Sequence, residues 1–130
     1  MSVVALDHVQ IAAPRGCEPD ARAFFGEAVG LEETPKPESL AARGGVWFQC
    51  GPQQLHVGVE EGFAPARKAH PAFRVRDLER VRERLVSFGA TPQDDDAIPG
   101  VRRFYVDDPF GNRLEFLEDA WAPPPLSSSS

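Results

Sequence analysis

The sequence predicts an α+β fold in which two βαβββ modules make one cupped mixed sheet with helices on its outer side. Strand-like alternation and helix-like spacing follow one another in the same order twice along the 130 residues. All three histidines fall at the starts or centres of predicted strands: His8 in LDHVQIA, His56 in QLHVGVE and His70 in HPAFRV. A carboxylate, Glu115, holds the matching place in NRLEFLE. Each polar group alternates with apolar neighbours: Val9 and Ile11; Leu55, Val57 and Val59; Phe73 and Val75; Leu114 and Phe116. Alternation of period two marks a sheet with one packed face and one free face.

Module one spans 3–60. A strand is expected at about residues 4–12, then the loop APRGCEP and a helix DARAFFGEAVGL with Asp20 as N-cap. Ala21, Phe24, Phe25, Ala28 and Val29 form its apolar stripe, and Gly30 marks its end. EETPKPESLAARGG should hold a short strand and a loop, and VWFQC and QLHVGVE two strands joined at Gly51-Pro52-Gln53. After the connector EEGFAPARKA, module two spans 69–119. HPAFRV is a strand, and DLERVRERLVSFGA is a helix capped by Asp77 and stopped by Gly89. Leu78, Val81, Leu85, Val86 and Phe88 are its buried stripe. A polar edge at TPQDDD precedes RRFYV and RLEFLE, which the turn DDPFGN joins. Asp107 and Asp108 read as turn residues, and the run Asp94–Asp96 as a solvated loop without calcium-loop spacing. The domain covers 1–120, and the Pro/Ser-rich tail 121–130 is expected to be disordered.

Bulk properties narrow the function classes. At 42% hydrophobic and 26% charged the chain reads as a soluble globular domain. A net charge of −6 argues against a general binder of nucleic acid or membrane surfaces. No apolar run approaches the roughly 20 residues that span a bilayer, and MSVVALDHV does not read as a signal peptide. Cys17 and Cys50 form neither a disulfide framework nor a Cys-x-x-Cys site. The cytoplasm is the expected compartment.

The repeat decides where the polar groups fall. His8 and His70 open the two modules, and His56 and Glu115 sit in their last strands. Two such modules facing each other would bring all four side chains to the centre of a cup. Two imidazoles and a carboxylate leave coordination sites open and suit Fe(II), Mn(II) or another octahedral ion, while a further His favours Zn, Ni or Co. A metal with adjacent open sites can act as a Lewis acid on a substrate with vicinal oxygens. Gln10, Trp47, Gln49, Arg74, Arg103 and Tyr105 are the candidate pocket residues. Arg74 and Arg103 would attract an anion, and Tyr105 would donate a proton or hydrogen bond.

The opening DHVQI, the helix end FFGEAVGL, the start HPAFRVRDL and the close YVDDPFGNRLEF resemble the vicinal oxygen chelate superfamily over about residues 3–119. DP-x-GN-x-x-E is the most specific piece. That group includes glyoxalases, extradiol dioxygenases, fosfomycin-inactivating thiol transferases, methylmalonyl-CoA epimerase and metal-free bleomycin-binding proteins. The resemblance implies a glyoxalase-like fold, a homodimer, and metal positions at His8, His70 and Glu115 with His56 at a fourth corner. Glyoxalases commonly carry Glu at that corner, whereas the three-residue pattern of dioxygenases and fosfomycin enzymes is matched in full. His56 and Glu115 are the candidate catalytic residues. Two readings follow: an enzyme of the lyase, isomerase or dioxygenase kind using a divalent metal (Zn, Ni, Mn or Fe(II)) on a small molecule, or a metal-free protein that sequesters an antibiotic or metabolite.

Overall fold

Branched and aromatic residues at alternate positions fold into strands in both halves of the computed structural model, which describes residues 2–119. Module one comprises β1 (His8–Ala13), α1 (Glu18–Ala21), β2 (Glu32–Thr34), β3 (Val46–Cys50) and β4 (Gln53–Val59). Module two comprises β5 (Ala72–Val75), α2 (Leu78–Ser87), β6 (Gln93–Asp94), β7 (Arg103–Asp107) and β8 (Arg113–Glu118). Each is βαβββ, as predicted. The expected disorder of 121–130 lies outside the described residues.

Local chemistry explains the departures from the predicted boundaries. β1 begins four residues later than expected because β4 starts at Gln53, leaving nothing opposite the residues before Asp7. Val3, Val4 and Leu6 are consequently exposed. The first helix begins at Glu18, so Asp20 is not its cap. Pro19 occupies the first turn, where its fixed φ and missing N–H cost nothing. From Arg22 to Ala28 that helix widens into a π-helix, and the N–H of Val29 reaches the carbonyl of Phe24 at 2.9 Å. The loop after β2 contains a 3-10 turn, Glu38–Arg43. Asp77 does cap α2, its Oδ1 accepting the N–H of Arg80 at 3.1 Å, and Gly89 ends it in the left-handed region.

The strands form two four-stranded sheets, ordered β1-β4-β3-β2 and β5-β8-β7-β6, rather than one continuous hydrogen-bonded sheet. In both, the strand preceding the helix pairs in parallel with the last strand, and the helix makes the crossover. The two modules share a core nonetheless. Phe24, Phe25, Phe48 and Leu55 from the first belong to the same apolar cluster as Phe104, Leu114 and Phe116 from the second. Burial of each such side chain contributes about 2 kcal/mol or more. Two polar ties cross between modules: Asn112 Nδ2 donates to the carbonyl of Ala12 at 2.8 Å, and the Arg84 guanidinium donates to the carbonyl of Glu27. Asn112 is fixed in turn by Asp108, whose carboxylate accepts from the N–H groups of Phe110 and Asn112. The DDPFGN turn is therefore both a hairpin and a clasp.

Candidate metal centre

The register of each sheet decides which side chains share its polar face. In the first, His8 lies opposite Gln54, Gln10 opposite His56, and His56 opposite Trp47. Val46, Phe48, Leu55 and Val57 point into the core. In the second, Glu115 lies opposite Ala72 on one side and Tyr105 on the other, with Phe104, Leu114 and Phe116 in the core. The free-face placement of all the candidate strand residues follows from the predicted alternation.

The four candidate ligands come together as two pairs. His70, just before β5, places Nε2 at 2.9 Å from Glu115 Oε1. On the other sheet the ring of His56 is stacked between Trp47 (centroids 3.8 Å apart, planes 2° apart) and His8 (4.2 Å, 18°). Among the described residues no three His, Cys, Asp or Glu side chains group around a common point, so one chain by itself does not bring all four to a single centre.

Three of the four nevertheless have partners that orient them. Metal-bound histidines donate the second ring nitrogen to a carboxylate or carbonyl, which fixes the tautomer and aims the other nitrogen. His8 Nδ1 meets Asp7 Oδ2 at 3.0 Å, and His70 Nδ1 meets the carbonyl of Lys68 at 3.0 Å. These contacts leave Nε2 of His8 free and turn Nε2 of His70 toward Glu115. Two ligand atoms about 2.1 Å from one octahedral ion, at right angles, lie about 3.0 Å apart, and the 2.9 Å spacing of His70 Nε2 and Glu115 Oε1 matches that edge. Glu115 is held from behind by Arg103, which donates to Oε2 at 3.0 Å and to Asp95 at 3.2 Å. Burial alone would raise the Glu115 carboxyl, but the hydrogen bonds from His70 and Arg103 outweigh it and keep the group below the usual carboxylate range. The donor set at His8, His70 and Glu115 fits a divalent ion.

The remaining candidates are distributed less simply. Gln10 covers Gly58, where a Cβ would lie 2.9 Å from its amide. Gln49 is consumed by the β3–β4 turn, donating to the carbonyls of Gly51 and Gln53. Trp47 forms a wall, and the ring it covers is that of His56. Arg103 is nearly buried between two carboxylates and has no free charge for an anion, contrary to the sequence-based expectation. Arg74 is exposed and paired with Asp119 at 3.6 Å. Tyr105 packs edge-on to His70 and carries the Arg113 guanidinium over its ring at 4.0 Å. Of these six, Tyr105 alone lines the cleft of about 710 Å3 that runs past Phe24, Phe88, Gln93 and Arg113. Sequence reasoning missed Asp7 and Asp95. A carboxylate next to His8 was a visible signal for the first, whereas Asp95 was hidden in what read as a solvated acidic run.

The paired βαβββ modules and the family match place this chain in the vicinal oxygen chelate superfamily. Within it, this chain belongs to the glyoxalase-like domain family, which matches residues 17–117. A glyoxalase-family protein from Bacillus anthracis is 55% identical in a superposition covering 91% of this chain and 97% of that one, with a TM-score of 0.87. Lactoylglutathione lyase from Agrobacterium tumefaciens (22% identity, 92% and 97% covered, TM-score 0.70) shares the fold. So does the fosfomycin resistance protein FosX from Listeria monocytogenes (15%, 89% and 93%, 0.72). No curated protein matches the chain.

Proposed function

We propose that this protein is a metal-dependent enzyme of the glyoxalase-like family, with His8, His70 and Glu115 holding one divalent ion and a small molecule with vicinal oxygens as substrate. The observation that carries the reading is that each of the three has its own orienting partner: Asp7, the carbonyl of Lys68, and Arg103. A bound ion would supply Lewis acidity to adjacent substrate oxygens. The chain's own residues do the rest. Asp7 and Lys68 fix the imidazole tautomers, Arg103 holds the carboxylate in place, and Tyr105 edges the centre beside His70.

The site is completed by a second copy. His8 is on an edge strand, β1, whose Val9 is partly exposed, and β5 beside His70 is also an edge. Exposed edges call for a partner, and pairing them in a two-fold dimer brings His8 of each copy to the His70–Glu115 pair of the other. The two free cysteines, Cys17 and Cys50, are in keeping with a reducing compartment, the cytoplasm. A metal-free sequestering protein is the second reading. Arg103 favours it, because a resident guanidinium already compensates Glu115.

The test is titration of apo-protein with Zn, Ni, Mn and Fe(II), together with complementation. His8→Ala and Glu115→Gln should each abolish tight binding. Mixing the two variants and letting the dimers re-form should restore about one site in four, because only mixed dimers contain an intact site. Tight binding by neither wild type nor the mixture sinks the metalloenzyme reading in favour of sequestration. Tight binding by wild type with no restoration places all three ligands in one chain.

A further inference from the structure

We infer that His56 is not a ligand of this centre but a positioning residue, the middle ring of a Trp47–His56–His8 stack that fixes the direction of His8. The inference rests on the metal-binding reading above and gives the fourth corner expected from the sequence, His56, a role other than ligation.

Geometry argues the point. A metal lies near the plane of each imidazole that binds it, about 2.1 Å from the nitrogen. The His8 and His56 rings are stacked 4.2 Å apart and tilted by only 18°, so their planes meet about 13 Å away (4.2 Å over the tangent of 18°). No point within bonding distance of both rings lies in both planes. The choice between the two is then made by their partners. His8 has its Nδ1 on Asp7 and Nε2 free, whereas the Nε2 of His56 is engaged by Gln54 Oε1 at 2.9 Å. His56 is 4% exposed, with Trp47 on one face and His8 on the other. Both faces and one nitrogen are occupied by the protein. A ring so held is a spacer, keeping the His8 imidazole at stacking distance from the sheet with its plane set by Trp47. A flat aromatic ring without nitrogen could do that, and no such ring could ligate.

The discriminating experiment compares His56→Phe, His56→Ala and Trp47→Ala in the full chain. Proton NMR of the apo-protein reads the stack directly. The His8 ring protons should be shifted upfield in wild type and His56→Phe, and should relax toward random-coil values in His56→Ala and Trp47→Ala. Ni(II) titration then reads the consequence. His56→Phe should bind within about threefold of wild type, while His56→Ala should weaken binding about 10-fold, the usual size of an orienting effect. The Co(II)-loaded wild type should show hyperfine-shifted exchangeable protons from two imidazoles. Three such imidazoles, or a His56→Phe protein that binds as poorly as His8→Ala, overturns the inference. If wild type binds no metal, the proposed function fails, yet the apo spectra still decide: His8 shifts unaffected by His56→Ala would overturn the stack.

Discussion

Glu115→Gln removes charge where His70 and Arg103 meet, and the structure sets the size of the effect. The carboxylate accepts two charge-assisted hydrogen bonds, at 2.9 and 3.0 Å, with both it and Arg103 nearly buried. Such bonds contribute about 1.5–3 kcal/mol each. The amide oxygen still accepts from Arg103, so the net loss for the apo-protein at neutral pH is about 2 kcal/mol. That corresponds to a Tm lowered by on the order of 8 °C. The folded carboxyl is held below its unfolded value of about 4.3. Its stabilisation is therefore complete above that pH and disappears as pH falls through the folded value. Urea unfolding of chelator-treated protein should show the full gap between wild type and variant at pH 7 and a narrower gap at pH 3. Calorimetric titration at pH 7 should show metal affinity lowered by about 100-fold or more, beyond the loss of an orienting partner. A stability gap of equal size at both pH values would refute the electrostatic account. Unchanged metal affinity would refute the ligand assignment.

Other perturbations probe the scaffold. Gly45 has φ of +92°, and a Cβ there would lie 2.2 Å from the Val57 carbonyl oxygen, so Gly45→Ala should cost about 3 kcal/mol or more by denaturant unfolding. A cost below 1 kcal/mol would mean that the β3–β4 pairing shifts easily. Asn112→Ala severs the tie to Ala12 and leaves Asp108 short of one donor in a buried turn; about 2 kcal/mol should be lost, with faster hydrogen exchange where the modules meet. Burial, and then the nearby charge of His8, lowers the basicity of His56 in the folded chain. A folded imidazole that protonates less readily than the unfolded one stabilises above about pH 6.5 and loses that contribution as pH falls below it. The urea midpoint of the apo-protein should accordingly drop between pH 7 and 5, and His56→Phe should flatten that slope; an identical slope in the variant would refute it.

Much of this molecule was legible in one dimension. Period-two alternation around His8, His56 and Glu115 placed each on a strand and on the polar face, because register links side-chain direction to position along the chain. Asp77 and Gly89 marked the ends of α2, since capping is a local hydrogen-bond and φ requirement. The twofold order of elements was equally readable, because each module's helix needs its own sheet to cover. Local signals did not reach across the modules. Alternation cannot say whether two sheets join edge to edge, and they remain separate in one chain. Composition could not show that Arg103 is already held by Asp95 and Glu115, nor that Trp47 and His8 enclose His56, since these contacts depend on which strands become neighbours. The sequence by itself determined the modules, the strand faces and the kinds of atoms offered to a ligand. Tertiary structure decided which of those atoms are already satisfied, because hydrogen-bond and stacking partners are set by distances of a few ångströms between segments far apart in the chain.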